Sequence, residues 1–277
     1  MASSIAHMPT RPHAHTPFLA LDAGNSHVKA ARWDGARWSD VLRWPTANDV
    51  PDALAALADG ATLAGLASVV PAHTARLAGV LREVAGAEPL VVSATLALPF
   101  AMRYRTPATL GADRLAAAVA AWSGWGGARP VVALDAGTAV TLDVVVPDDR
   151  EPTGAAYLGG AIAPGPDLLR RALARDTGQL PDVAWAMPPS PVGASTAEAI
   201  QSGLAGLFAD GVAGLLARTA RALAADGHAP PIVVGTGGWA PWLAGQIGGL
   251  DALAPMLVHD GIRKLASGER GAGSGGR

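Results

Sequence analysis

Cysteine is absent from all 277 residues, which removes disulfides, thiolate metal sites, iron–sulfur clusters and a cysteine nucleophile together. A reducing cytoplasm is the location that this composition fits. Charge is scarce as well: 16% of residues are charged, the net charge is −2, and no Lys/Arg cluster with interleaved aromatics occurs. Neither counterion release nor base stacking has a foothold, so no nucleic-acid partner is expected. The seven histidines, at 7, 13, 15, 27, 73, 228 and 259, never fall at a ligand spacing such as His-x-x-x-His, which argues against a zinc site. No uninterrupted apolar run approaches the roughly 18 residues of a spanning helix, and the opening segment has no signal-like apolar core. No membrane partner is expected.

What the chain does have is apolar residues, half of the total, punctuated by 34 glycines and 22 prolines. That is enough for one large domain or two ordinary ones. Residues 1–16 read as a flexible arm and the Gly/Ser-rich 267–277 as a flexible tail. Between them, "FLALDAG" (18–24) is an apolar run closed by glycine and followed by strand-like stretches with a hairpin signal at Asp34-Gly35. From Pro51 helical patterns alternate with short buried strands, Pro71 suiting a first helical turn and Gly86 a stop. At "VVALDAG" (131–137) the plan restarts: strand, Asp-Ala-Gly turn, strand. A helix is expected from near Pro166, and a long helical region or two abutting helices after Ser195, whose spacing to Glu198 fits a capping box.

Strands alternating with helices imply an α/β fold with parallel pairing. Two half-domains that each deliver Asp-x-Gly to a shared cleft match the duplicated actin/Hsp70/sugar-kinase (ribonuclease H-like) arrangement. The expected lobes are 17–125 and 126–266, with an ATP cleft between them.

A strand that turns through Asp-Ala-Gly into a second strand leaves backbone N–H groups unpaired, and the glycine lets a phosphate approach them. The adjacent carboxylate cannot bind phosphate itself and suits a hydrated cation that bridges to it. In the first turn the donors are the backbone of Ala23 to His27, the Asn25 amide, the Ser26 hydroxyl and the Lys29 ammonium. In the second they are the backbone of Gly137 and Thr138, with the hydroxyls of Thr138 and Thr141. One Asp-x-Gly is commonly no more than a β-turn. Two on matching strands, followed by the glycine loop "VVGTGGWA" (233–240), point to a nucleotide. That loop also fits a dinucleotide fingerprint, but too little chain follows for the second half that such a site needs.

Three further stretches, "RYRTPATLGADR" (103–114), "YLGGAIAPG" (157–165) and "STAEAIQSG" (195–203), join "DAGNS" and "LDAGTAVTLD" in order and spacing. Over about Phe18 to Ala266 the chain resembles the type III pantothenate kinases. The resemblance implies ATP-dependent phosphorylation of pantothenate to 4′-phosphopantothenate, the first step toward coenzyme A, by a homodimer using Mg²⁺ and a monovalent cation (K⁺ or NH₄⁺). It implies Asp113 as catalytic base, and Tyr104, Gly111, Ala112, Asp113, Arg114 and Thr196 as pantothenate contacts. It assigns ATP to Asp22, Ala23, Gly24, Asn25, Ser26, His27, Val28, Lys29 and Thr138, and the monovalent cation to Asp135. A kinase of another small hydroxy acid, or a nucleotide-binding regulatory protein on the same scaffold, are the alternatives.

The residues themselves allow plainer roles. Asp113, expected in the first turn of a helix whose dipole favours its ionised form, suits a base or an N-terminal cap. Arg114 suits a substrate carboxylate or a neighbouring surface acid. Tyr104 suits a substrate hydrogen bond or a core edge, and Thr196 a helix start.

Overall fold

A computed structural model describes residues 16–268. The expected arm and tail lie outside the described residues except for Thr16, Ser267 and Gly268.

The first Asp-Ala-Gly repeat opens on β1 (Phe18–Ala23). Its side chains alternate between two buried faces: Phe18 and Ala20 join one core cluster, while Leu19, Leu21 and Ala23 join another. A strand buried on both sides reads as a near-continuous apolar run, which is why its period is hidden in the sequence. β1 pairs antiparallel with β2 (His27–Trp33), which pairs antiparallel with β3 (Leu42–Pro45). On its other side it pairs parallel with β4 (Leu63–Ser68), and β4 with β5 (Leu90–Val91). The helices α1 (Ala53–Leu57) and α2 (Pro71–Ala85) provide the crossovers and cover the outer face. Pro71 starts α2 and Gly86 stops it in the left-handed conformation at φ 67°.

The second repeat uses the same plan. β7 (Val131–Ala136) takes the place of β1, between β8 (Ala139–Pro147) and β10 (Ile232–Thr236). β9 (Ala155–Pro164) and β11 (Ala252–Leu253) stand outside these, and β6 (Ala101–Met102) is added at the edge. The strand orders are β3-β2-β1-β4-β5 and β11-β10-β7-β8-β9-β6, the same topology apart from the added strand. α4 (Pro166–Arg175), α5 (Thr196–Ala225) and α6 (Ala240–Gln246) complete this half, with α5 and α6 on the outer face of its sheet.

Two helices fill the space between the sheets: α3 (Ala112–Trp125) and α7 (Leu257–Ser267). α3 is rich in Ala and is buried nearly along its length, so it can lie flat against a neighbour. At the crossing Gly261 of α7 meets the Ala116 backbone so closely that a β-carbon there would strike its carbonyl. The chain halves exchange these helices: α3 packs on β7 and β8, and α7 on β1 and β4. A division at 125/126 therefore separates the strands of the two sheets except β6, but each inner helix packs on the sheet of the other half.

The region after Ser195 is one 30-residue helix, not two. Ser195 Oγ accepts from the Glu198 N–H at 3.3 Å, and the Glu198 carboxylate accepts from Ala194 N–H at 2.8 Å, one residue before the usual capping-box donor. Its glycines 203, 206, 211 and 214 all face open space within the chain. α5 is also the one described helix long and apolar enough to span a membrane, yet only 33% of its most apolar window is buried.

Candidate active site

The period of two places both repeat aspartates. Asp22 follows Phe18 and Ala20 on β1, Asp135 follows Val131 and Ala133 on β7, and those apolar residues face the core between the sheets. Both carboxylates therefore stand on the inner faces, at the carboxyl ends of central strands. The turns beyond them touch: Ser26 Oγ and Thr138 Oγ1 are 3.2 Å apart.

Lys29, opposite Asp22 across β1 and β2, donates from Nζ to Asp22 Oδ2 at 3.2 Å. Burial works against its charge, but the Asp22 and Asp135 carboxylates outweigh it and hold the ammonium above the usual lysine range. Desolvation pushes Asp135 up to about 7, Lys29 opposing and the Asp22, Asp113 and Asp143 carboxylates adding. Asp113 sits in the first turn of α3, its Oδ1 accepting from the Arg114 N–H at 2.7 Å. Burial and the Asp22 carboxylate hold it above the ordinary carboxylate range, against that N–H and the Arg114 and Lys29 charges. The expected dominance of the helix dipole is thus overturned by desolvation. Asp113 is not the N-cap either: that position is Gly111.

The turns narrow the set of phosphate donors. Gly24 N–H is bound by His27 O at 3.1 Å and Gly137 N–H by Ala139 O at 3.0 Å, so neither is the donor the sequence suggests. Among the described residues no acceptor takes the N–H groups of Asn25, Ser26 and Thr138. Ala23 and Val28 face the outer core, leaving only their backbones toward the cleft. His27 Nδ1 lies 3.0 Å from Arg43 Nη2. Thr46 Oγ1 donates to Gly24 O at 2.7 Å and braces the first turn. The third glycine loop closes over Asp135. Gly237, at φ 89°, is held so close to Asp135 Oδ1 and the Ala136 carbonyl that a side chain would fill the space beside both oxygens.

Arg114 is neither a surface residue nor a free guanidinium. It is 8% exposed, and its Nη2 is 2.7 Å from Asp143 Oδ1, its Nε 3.0 Å from the same oxygen. Tyr157 OH donates to that oxygen at 2.6 Å. Tyr104 meets Tyr157 edge-on at 6.1 Å and stands over Gly159. Asp143 and Tyr157 are the participants that sequence reasoning missed. The signal was a carboxylate inside "VTLDVVV", in register with inward-facing Ala133. Thr196 is exposed at the start of α5.

Among the described residues no three His, Asp or Glu side chains converge as a metal cluster. Magnesium takes one or two carboxylates and otherwise phosphates and waters, a demand that Asp22 and Asp135 could meet. The oxygen pair beside Gly237, with its excess of negative charge, suits a cation as well.

The family model for type III pantothenate kinase matches residues 18–218. The type III pantothenate kinase of Acidiphilium cryptum is 36% identical, the match covering 90% of this chain and 93% of that one. That of Moorella thermoacetica is 32% identical over 88% and 96%. Among solved structures, a conserved putative Baf family transcriptional activator from Campylobacter jejuni superposes with a TM-score of 0.54 at 19% identity, over 89% of this chain and 95% of that one. A putative 2-dehydro-3-deoxygalactonokinase from Sinorhizobium meliloti gives 0.53 at 15%, over 93% and 98%. These two likenesses show the fold, a duplicated two-lobed sugar-kinase arrangement. Motif order, strand topology and the inner-face aspartates agree with the sequence comparisons: the chain belongs to the type III pantothenate kinase family.

Proposed function

We propose that this chain transfers the γ-phosphoryl group of ATP to the primary hydroxyl of pantothenate, giving 4′-phosphopantothenate for coenzyme A synthesis. The observation that carries the reading is the meeting of the two Asp-Ala-Gly turns at Ser26 and Thr138, beyond the inner faces against which α3 lies with Asp113 in its first turn. Asp113 takes the hydroxyl proton. The free N–H groups of Asn25, Ser26 and Thr138, with Lys29, hold and align the phosphates. Phosphoryl transfer asks mainly for that alignment and for charge stabilisation.

Magnesium, when bound with ATP, supplies neutralisation of phosphate charge, and Asp22 and Asp135 are the carboxylates that would hold its hydration shell. A monovalent cation, K⁺ or NH₄⁺, would take Asp135 and the Ala136 carbonyl beside Gly237. Tyr104, the backbone of Gly111 and Ala112, Arg114 and Thr196 receive pantothenate. The working unit is a homodimer: Leu207 is 61% exposed on a helix whose four outward glycines allow a second helix to approach. Its dependence on ATP assigns the reaction to the cytoplasm.

The test is a coupled assay of ADP release with and without pantothenate, repeated with other small hydroxy acids. Pantothenate-dependent turnover that is lost in Asp113→Asn is the expected result. Turnover with a different hydroxy acid alone would overturn the substrate.

A further inference from the structure

Asp143 and Tyr157 make none of the contacts assigned above to ATP, pantothenate or a cation, yet they are 1% and 0% exposed. A buried ion pair is a poor device for stability, since well-packed apolar residues often serve as well. Its geometry suggests another use. Asp143 Oδ1 receives Arg114 Nη2 at 2.7 Å, Arg114 Nε at 3.0 Å and Tyr157 OH at 2.6 Å. Phe100 stacks on the Tyr157 ring at 5.7 Å and fixes the phenol. The same Arg114 donates its backbone N–H to Asp113 Oδ1 at 2.7 Å. One residue is thus anchored through its side chain and orients the base through its main chain.

We propose that Asp143, held by Tyr157, is a positioning residue for phosphoryl transfer. It fixes the Arg114 guanidinium and the first turn of α3, and so aims the Asp113 carboxylate. The proposal rests on the reading of Asp113 as the base of a pantothenate kinase. Asp143 also balances the Arg114 charge beside that base. The charged groups that act on Asp113 are Asp22 from β1, Lys29 from β2, Arg114 on its own helix, Asp135 from β7 and Asp143 from β8. Removing the Asp143 charge leaves Arg114 uncompensated, so Asp113 ionises more readily.

The test uses the full chain with Asp143→Asn and Tyr157→Phe, reading steady-state kinetics, pH profiles and melting temperature. Asp143→Asn is expected to lower kcat/KM for pantothenate by about 10–100-fold, the scale of a small misplacement, with KM for ATP within about twofold. Its acid limb moves to lower pH, a change that a purely structural role does not produce. Tyr157→Phe moves both quantities the same way by less, about 3–10-fold in rate, as one charge-assisted hydrogen bond allows. Should Asp143→Asn not fold, Tyr157→Phe carries the test, because it keeps the ring. Unchanged kinetics and acid limb in folded variants would overturn the proposal, as would equal losses for ATP and pantothenate that track the folded fraction. A wild-type protein inactive on pantothenate overturns the kinase reading and this proposal together; an active wild type matched by its variants overturns the positioning role alone.

Discussion

Asp113, proposed as the base, has surroundings that disfavour its charge. Burial and Asp22 raise its pKa, and a base works only when ionised, so kcat/KM for pantothenate should fall on acidification at a pH above the ordinary aspartate range. Asp113→Asn should reduce kcat by about 10²–10⁴-fold, leaving ATP affinity, measured by titration calorimetry, close to wild type. Asp135 makes the complementary prediction for stability. Its folded-state value of about 7 stands above the unfolded value of 3.8, so its contribution is fully present below the unfolded value and is lost as pH rises through 7. Asp135→Asn should therefore raise the melting temperature by a few degrees at pH 8, with the difference shrinking as pH falls toward 4. A melting temperature lowered equally at both pH values would contradict this assignment of charge.

Elements carry these residues to one another, and the inner helices do so most directly. Gly261 lets α7 approach the Ala116 backbone of α3, the helix that bears Asp113 and Arg114. Gly261→Ala should push the helices apart and cost about 1–3 kcal/mol by overpacking, measured by chemical denaturation, with a fall in kcat because the proposed base, Asp113, moves with α3. Much of this architecture was legible in the sequence. The paired "LDAG" stretches located the two central strands, and Pro71, Gly86 and Pro166 located helix ends, because backbone constraints at proline and glycine are local. What was not legible depends on long-range packing. No local pattern says that α3 crosses to β7, or that Arg114 will find Asp143 on a strand 29 residues away. The raised pKa of Asp113 was missed for the same reason: a helix dipole can be read from position, whereas desolvation needs the neighbours.

At the scale of the whole molecule, two sheets that share a five-strand plan face each other across α3 and α7, and the outer helix α5 leaves an apolar, glycine-lined face uncovered by its own chain. Leu207→Arg should convert a dimer into monomers in size-exclusion chromatography with light scattering, without lowering the monomer's helical content by circular dichroism. A dimer that survives the substitution would place the interface elsewhere. The hydroxyl contact between Ser26 and Thr138, one from each repeat, has a consequence for this body. Phosphates lying between the two turns would displace this contact, and a rotation of either hydroxyl is enough to break it. The same two hydroxyls, one from each repeat, would then be released to face the phosphates that separate them.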